Sequence, residues 1–205
     1  MSFYSVAKVI VTPIFRLLYG MRTVNASGFP MDETVIVASN HTSLIDPVLL
    51  GVTLKKPLYF MAKAELFKFK PFGALIRKLG AFPVKRGRRD NDATERAEEL
   101  IAQGKTFALF PQGTRMPGRE EPDDARPGVA LFASHSGAGV LPVYIYNRKG
   151  KARIFSRNVV VVGDVVPASE FGGEKATIGG DMRASASALM ARMFALKEKV
   201  PEKWR

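Results

Sequence analysis

Short apolar runs rich in β-branched residues alternate along this chain with segments that carry helix signals, and this alternation constrains the fold more than any other feature. These runs are short enough to predict buried strands, at residues 34–38, 58–62, 81–86, 106–110 and 140–146. Two later runs, at 154–155 and 159–166, predict a hairpin or paired strands. Because strands that alternate with helices build layered domains, we expect an α/β fold with a mixed, largely parallel sheet flanked by helices.

The helices between these strands are predicted from capping residues and apolar periodicity. Asp46 and Pro47 suit a helix start, since aspartate caps a first turn well and proline fits the first helical position. Further helices are predicted at 66–79, with a break at Pro71 or Gly73, and at 92–103, 127–135 and 181–199. The last helix has an apolar stripe that we expect to face the core, formed by Met182, Ala186, Leu189, Met193 and Leu196.

The N-terminal segment has a different character from the rest. Residues 3–21 are mostly apolar and approach the ~20 residues of a spanning helix, but charged and proline residues interrupt them. At about 100° per residue, four polar residues share one narrow face: Ser5, Lys8, Thr12 and Arg16. This pattern predicts an amphipathic membrane-interface helix over 1–24, followed by the α/β domain over 25–205. Packing of the helix on the domain's own core is the alternative, and a signal peptide fits less well.

The composition narrows the chemistry. A chain of 205 residues without cysteine suits one domain in a reducing compartment, and it excludes disulfides and thiolate metal sites. There are two histidines and no H-E-x-x-H motif, so we do not expect a zinc site. We predict no other metal and no cofactor.

The net charge of +12 is concentrated in one stretch. Between Lys55 and Arg89 there are eleven basic residues and one acid. Such a block favours a polyanionic partner, which is nucleic acid, an acidic membrane surface or a phosphate-bearing substrate. A solvated basic surface without a ligand fits the same pattern.

His41 and Asp46 are the residues best suited to acid–base chemistry. A histidine takes up a proton near neutral pH, and a carboxylate on its other nitrogen orients it and stabilises its charged form. Five positions along a helix would turn the two side chains about 140° apart, so the chain must turn between them. We therefore place His41 in a strand-to-helix loop and Asp46 at the helix start. The pair lacks a nucleophile, which a substrate can supply; a purely structural pair is the alternative.

Residues 110–115, Phe-Pro-Gln-Gly-Thr-Arg, form a second candidate element directly after a predicted strand. Gly113 allows a ligand to approach the backbone closely, Thr114 offers a hydroxyl, and Arg115 suits a phosphate. Lys85 and Arg86 end another predicted strand with two cations. A turn with a solvated arginine is the alternative. The charged, Pro- and Gly-rich segment 115–126 predicts an exposed loop next to this element.

Four motifs in order resemble the glycerolipid acyltransferases, most closely the bacterial 1-acyl-sn-glycerol-3-phosphate acyltransferase type. The N-H-x4-D motif is matched by Asn40, His41, Asp46 and the following proline, and the second motif ends in an arginine, matched by Arg86. Positions 110–115 match F-P-E-G-T-R, and the V-x-P-V motif is matched around Pro142 and Val143. The resemblance covers about residues 35–146. It departs at Gln112, where the family usually has glutamate; glutamine keeps the size and an acceptor atom but loses the charge.

The resemblance implies an acyl transfer from acyl-CoA or acyl carrier protein to the free hydroxyl of lysophosphatidic acid, which gives phosphatidic acid. His41 would be the general base and Asp46 would orient it, with no enzyme nucleophile. The acceptor phosphate and the rest of the substrate would be bound by Lys85, Arg86, Gln112, Gly113, Thr114 and Arg115, and backbone N–H groups near Gly113 would stabilise an oxyanion.

A lipid acceptor also implies where the enzyme works. We expect a peripheral or monotopic protein at the cytoplasmic face of the cell membrane, with the lipid surface as a partner and without nucleic acid. Glycerol 3-phosphate and a lyso-aminolipid are alternative acceptors. An alternative of another class is a non-catalytic homologue that uses only its basic stretch to bind membranes or nucleic acid.

Overall fold

The computed structural model describes residues 2–25, 28–85, 91–172 and 181–205, and it contains a seven-stranded sheet with helices on both faces. The strands are β1 (Met21–Val24), β2 (Val35–Ser39), β3 (Leu58–Lys63), β4 (Ala81–Val84), β5 (Thr106–Leu109), β6 (Gly139–Asn147) and β7 (Asn158–Val162). The α-helices are α1 (Phe3–Leu18), α2 (Asp46–Thr53), α3 (Lys70–Lys78), α4 (Asn91–Ala102), α5 (Gly128–Ser136) and α6 (Asp181–Ala195). Short 3₁₀ helices include Ala64–Phe67, Pro122–Asp124 and Leu196–Lys199.

The sheet has the order β1-β7-β6-β2-β5-β3-β4, and all neighbouring pairs are parallel except β6 and β7. The predicted α/β fold with a mixed, largely parallel sheet is therefore confirmed. At the centre, Ala38 of β2 lies opposite Leu109 of β5, and Ser39 lies opposite Val143 of β6. Because parallel strands end at the same edge, the loops that follow β2 and β5 meet there, as ligand-binding loops of such sheets do.

Both faces of the central strands are buried, which explains why their sequences are continuously apolar rather than alternating. In β2, Ile36 and Ala38 belong to one core cluster, whereas Val35 and Val37 belong to the other. Side chains of α4, α5 and α6 fill the first cluster, and side chains of α2 fill the second. The predicted core stripe of the last helix is confirmed, since all five of its residues are buried in the first cluster.

Several predicted element boundaries were wrong. The segment 66–79 splits into a 3₁₀ helix and α3, and Pro71 lies in the first turn of α3 instead of breaking it. Gly73 is inside α3, where a Cβ would lie 2.9 Å from the Phe67 backbone, so glycine permits a close crossing. Residues 154–155 form a turn rather than a strand. Asp46 is the first helical residue and not the cap, which is Ile45.

The N-terminal helix ends at Leu18, short of the predicted residue 24. The backbone turns at Gly20 (φ +49), and Met21–Val24 then pairs with β7 as the edge strand of the sheet. This strand was not predicted, because four residues that are apolar at positions 21 and 24 alone show neither an apolar run nor an alternation. Of the residues that the structure describes, no helix has the length and apolar content to cross a bilayer.

Helix α1 presents its apolar side to the outside. Its exposed large side chains are Phe3, Val6, Val9, Ile10, Ile14 and Leu17. The opposite side faces the domain, where Lys8 Nζ donates to the carbonyls of Leu54 and Lys55 beyond the end of α2, and burial lowers the pKa of Lys8. Val11 and Phe15 pack partly against the core on the same side. Only a mixed polar and apolar strip of α1 therefore contacts the domain.

Candidate active site

His41 and Asp46 form a buried pair at the carboxyl end of β2. The distance from His41 Nδ1 to Asp46 Oδ2 is 2.9 Å; His41 is 8% exposed and Asp46 is 0% exposed. The predicted strand-to-helix turn is present, with His41 in the loop and Asp46 at the start of α2. Since a carboxylate is an acceptor only, Nδ1 carries the proton and Nε2 keeps a lone pair for a base.

Asp46 is held by the loop that it closes. Its Oδ2 also accepts hydrogen bonds from the backbone N–H groups of Thr42 (2.6 Å) and Ser43 (2.7 Å). The hydroxyl of Thr42 lies 3.4 Å from Oδ1. All three short contacts converge on one carboxylate oxygen, next to the N-terminus of a helix, where a negative charge is favoured. The N–H groups of Thr42 and Ser43 thus shape the turn between His41 and Asp46.

The loop after β5 fixes His41 from three directions. The side-chain oxygen of Gln112 accepts from the His41 N–H (2.9 Å), and the N–H of Met116 donates to the His41 carbonyl (2.7 Å). The Phe110 ring stacks on the imidazole with ring centroids 4.0 Å apart and an interplanar angle of 15°. The imidazole plane is thereby set by the backbone, by one ring face and by Asp46.

Gln112 is only 1% exposed, and its amide nitrogen has no hydrogen-bond partner in the described part of the chain. Its oxygen must face the His41 N–H, because a backbone donor needs an acceptor, so the orphaned atom is a donor. A buried donor without a partner costs free energy that a ligand with an acceptor atom would recover.

Asn40 anchors the loop from below. Its amide nitrogen donates to the Ile145 carbonyl (3.0 Å), and its amide oxygen accepts from the Ile145 N–H (2.7 Å). This bidentate pairing replaces one step of backbone pairing between β2 and β6. Asn40 thus fixes the position at which the chain leaves the sheet, immediately before His41.

The loop from 110 to 126 also provides backbone donors and cations. Gly113 adopts φ +68, and its own N–H donates to the Phe110 carbonyl (2.9 Å), so this group is used within the turn. The N–H groups of Thr114 and Arg115 have no acceptor among the residues described. The Arg115 side chain is exposed and has no partner in that same set.

Arg126 is a residue of this loop that sequence reasoning missed. Its N–H donates to the Pro111 carbonyl (2.9 Å), and its side chain crosses Gly113, where a Cβ would meet Nε at 2.7 Å. Its guanidinium is exposed and is unpaired within the described ranges. The available signal was a basic residue directly before Pro127, the N-cap of α5. The last residue of the predicted exposed loop 115–126 therefore lies against residues 110–115.

The cations after β4 are less well placed in the structure. Lys85 is exposed directly after β4, at the same edge of the sheet. β4 is three strand positions from β2, which corresponds to about 14 Å at a spacing of ~4.8 Å per strand. Arg86 lies outside the described residues. The structure thus brings together His41, Asp46 and the 110–115 loop and leaves Lys85 at the side.

Comparison with known proteins identifies the family. The family model described as Acyltransferase matches residues 20–146. The 1-acyl-sn-glycerol-3-phosphate acyltransferase of Bacillus subtilis is 26% identical over 161 residues, which cover 77% of this chain and 79% of that protein. The enzyme of the same name from Streptococcus pneumoniae is 32% identical over 114 residues, covering 55% of this chain and 41% of the relative.

Two further known proteins are similar to this chain. The lyso-ornithine lipid O-acyltransferase of Pseudomonas aeruginosa is 32% identical over 129 residues, covering 62% of this chain and 49% of that protein. The crystal structure of the 1-acyl-sn-glycerophosphate acyltransferase from Thermotoga maritima superposes with a TM-score of 0.68 and 24% identity. It covers 98% of this chain and 85% of the other, which supports the fold.

Proposed function

This chain belongs to the acyltransferase family, and from that membership and the site we propose that it acylates the free hydroxyl of lysophosphatidic acid to form phosphatidic acid. The observation that carries the proposal is the fixed imidazole of His41. Its Nδ1 is bonded to Asp46, its backbone is held on both sides, and no hydroxyl or thiol of the described chain lies within hydrogen-bond distance of Nε2. A base without an enzyme nucleophile suits a substrate that brings its own hydroxyl.

In the proposed reaction, His41 Nε2 takes the proton of the acceptor hydroxyl as its oxygen attacks the thioester carbonyl of acyl-CoA or acyl carrier protein. Asp46 stabilises the imidazolium that forms. The tetrahedral intermediate collapses with cleavage of the C–S bond, and His41 returns the proton to the departing thiolate. Because Gly113 N–H is bonded within its own turn, the N–H groups of Thr114 and Arg115 are the better candidates for the oxyanion.

The acceptor phosphate is assigned to the cations around the 110–115 loop. Arg115 and Arg126 are both exposed and unpaired among the described residues. Arg115 ends the 110–115 loop, and Arg126 is held against that loop by its contacts with Pro111 and Gly113. Guanidinium groups bind phosphate oxygens in a fork geometry. Lys85 and Arg86 remain proposed contacts for a more distant part of the substrate. The orphaned amide N–H of Gln112 is proposed to donate to a substrate oxygen.

A lyso-aminolipid is the second candidate acceptor, because one relative is named a lyso-ornithine lipid O-acyltransferase. The two unpaired guanidinium groups favour a phosphate over a zwitterionic headgroup. A panel of lysophosphatidic acid, lyso-ornithine lipid and glycerol 3-phosphate with one acyl-CoA distinguishes these acceptors. A KM that is lower for lysophosphatidic acid than for lyso-ornithine lipid, with this difference lost in Arg126→Ala, would identify lysophosphatidic acid as the acceptor.

The outward apolar side of α1 supports docking to the membrane that contains the acceptor. Leu17 is 81% exposed, Val9 68% and Ile10 58%. Contact between water and this much apolar surface is unfavourable. Exposed aromatic and basic residues of the 3₁₀ turn and α3, among them Phe69, Lys70 and Phe72, extend the same chemistry. An interfacial helix binds by this combination of apolar area and attraction to anionic lipid. The absence of cysteine fits the proposed location at the cytoplasmic face.

The decisive experiment is thioester consumption by His41→Ala with and without lysophosphatidic acid. Loss of a general base costs on the order of 10²–10⁴-fold in rate. The matched control is His135→Ala, because His135 is the other histidine and lies exposed at the end of α5, paired with Glu98. Activity in His41→Ala equal to that of His135→Ala would disprove the assignment.

A further inference from the structure

Residues 148–157, the loop between β6 and β7, form a basic surface with an apolar tip. The loop contains five cations and no acid: Arg148, Lys149, Lys151, Arg153 and Arg157. Arg157 is bonded to the Lys203 carbonyl, but the other four side chains are exposed and have no partner in the described part of the chain. Between them stand Ile154, 53% exposed, and Phe155, 84% exposed.

Phe155 has two unfavourable features, exposure and backbone strain, that packing within the fold does not explain. It is the most exposed of the large apolar side chains described, and its backbone has φ +52, a region that bulky residues avoid. Strain and exposure at one residue indicate that its position serves an interaction outside the fold. The adjacent cations indicate an anionic partner.

The loop is fixed against the C-terminal end of α1. The Phe155 N–H donates to the Leu18 carbonyl (2.6 Å), and the Asn158 side chain donates to the Tyr19 carbonyl (2.5 Å). These bonds satisfy carbonyls that a helix end leaves open. They hold Phe155 beside the last turn of α1, in which Leu17 is 81% exposed.

At its other end, α1 meets α3, since Lys78 Nζ lies 5.4 Å from the Phe3 ring centre. A helix of 16 residues is about 24 Å long. The exposed apolar side of α1 therefore runs from the basic α3 at one end to the basic loop 148–157 at the other.

We propose that loop 148–157 is a second membrane-docking site, which binds the headgroups of an anionic lipid bilayer through its four unpaired cations and inserts Phe155 beside α1. With cations at both ends of an apolar helix, the protein contacts the bilayer along the whole length of α1. The site is separate from acyl transfer: vesicle binding needs no turnover, so this proposal and the catalytic one fail independently.

The test is binding of the full chain to vesicles of equimolar phosphatidylcholine and phosphatidylglycerol, and to phosphatidylcholine alone. In the triple variant Lys149→Gln, Lys151→Gln, Arg153→Gln, affinity for the anionic vesicles falls about fivefold for each cation removed. Affinity for the neutral vesicles stays unchanged. The control triple variant removes the same charge from α4 and α6 at Arg96, Arg183 and Arg192, all exposed. These helices cover the other face of the sheet, about 20 Å away, beyond a Debye length of ~8–10 Å, so the control binds like the wild type.

The apolar part is tested at Phe155 itself. Phe155→Asn removes the ring and relieves the strained backbone, since asparagine tolerates positive φ, and it weakens vesicle binding on the order of tenfold. Phe155→Trp, made together with Trp204→Phe because the chain has a single tryptophan, gives a direct signal. The introduced indole is quenched by brominated acyl chains when it inserts.

Two results would overturn the proposal. The first is unchanged binding of the Lys149, Lys151, Arg153 triple variant to anionic vesicles with no quenching at position 155. The second is unchanged vesicle binding with a selective loss of transfer from acyl carrier protein, which would identify an acidic protein as the partner of this loop.

Discussion

Replacement of Asp46 by asparagine isolates the charge of the carboxylate from its geometry. The His41, Thr42 and Ser43 donors all reach the same oxygen, Oδ2, at 2.9, 2.6 and 2.7 Å. An asparagine whose amide oxygen takes that position keeps all three hydrogen bonds. Its NH₂ group then replaces Oδ1, where the Thr42 hydroxyl 3.4 Å away can accept. The imidazole therefore keeps its tautomer and orientation in Asp46→Asn.

In the proposed mechanism, the variant loses stabilisation of the imidazolium that forms during proton transfer. Two unit charges about 4 Å apart interact by roughly 4 kcal/mol at an effective dielectric constant of 20. The amide dipole that remains recovers part of this, so the barrier rises by about 2–4 kcal/mol, or about 30- to 1,000-fold in kcat/KM. In contrast, Asp46→Ala removes all three acceptor contacts and also lowers the free energy of unfolding, by about 1–3 kcal/mol for each donor left unsatisfied.

The assay is kcat/KM for acyl-CoA and lysophosphatidic acid, measured together with the free energy of unfolding and with His135→Ala as a control. In Asp46→Asn the rate falls by the factor above while the free energy of unfolding stays close to that of wild type, because the three hydrogen bonds to the side-chain oxygen remain. A rate within about threefold of wild type would refute the role of the Asp46 charge.

Three other outcomes follow from the same contacts. Gln112→Leu should lower kcat by about tenfold or more, because the His41 N–H loses its acceptor, and should raise KM, because the N–H proposed to donate to a substrate oxygen is lost. Gln112→Glu keeps the acceptor for the His41 N–H, so it separates the two effects in steady-state kinetics. Gly113→Ala should reduce activity severely, since a Cβ would displace the Arg126 side chain and strain a backbone at φ +68. Arg126→Ala, measured with the same kinetics, shows how much of that loss is due to displacement of the Arg126 cation. Burial and the Glu120 acceptor raise the pKa of Tyr144, so the folded state keeps a proton that the unfolded state releases near its ordinary value of 10.0. Stability therefore falls as the pH rises above about 10, less steeply in Tyr144→Phe, which denaturant titrations at alkaline pH measure.

The turn that carries His41 and Asp46 could be predicted from the sequence because the residues that determine it are neighbours in the chain. A buried strand, the separation of His41 and Asp46, and a proline at the helix start together require a turn at that position. The carboxyl-end location then follows from the parallel sheet. The same holds for the core stripe of α6, where a period of 3.6 residues is visible within one element.

The contacts that fix His41 could not be predicted from the sequence, and the reason is physical. Gln112 is 71 residues from His41, and Asn40 is 105 residues from Ile145. A sequence pattern does not specify which backbone groups meet across such distances. The role of Gln112 illustrates this. The resemblance implied that Gln112 contacts the substrate, whereas in the structure its amide oxygen accepts from the His41 N–H and its amide nitrogen has no partner among the described residues.

The orientation of α1 carries a physical argument of its own. An amphipathic helix on a globular domain ordinarily buries its apolar stripe and exposes its polar face. Here both faces of the central strands are already covered, on this side by α2, and Lys8 finds acceptors at the carbonyls of Leu54 and Lys55 beyond the end of α2. The strip of α1 that carries Lys8, Val11 and Phe15 therefore faces the domain, and Val9, Ile10 and Leu17 remain outside. Since exposure of that stripe to water has no compensation within the fold, the orientation itself argues for an apolar phase as the medium that α1 faces.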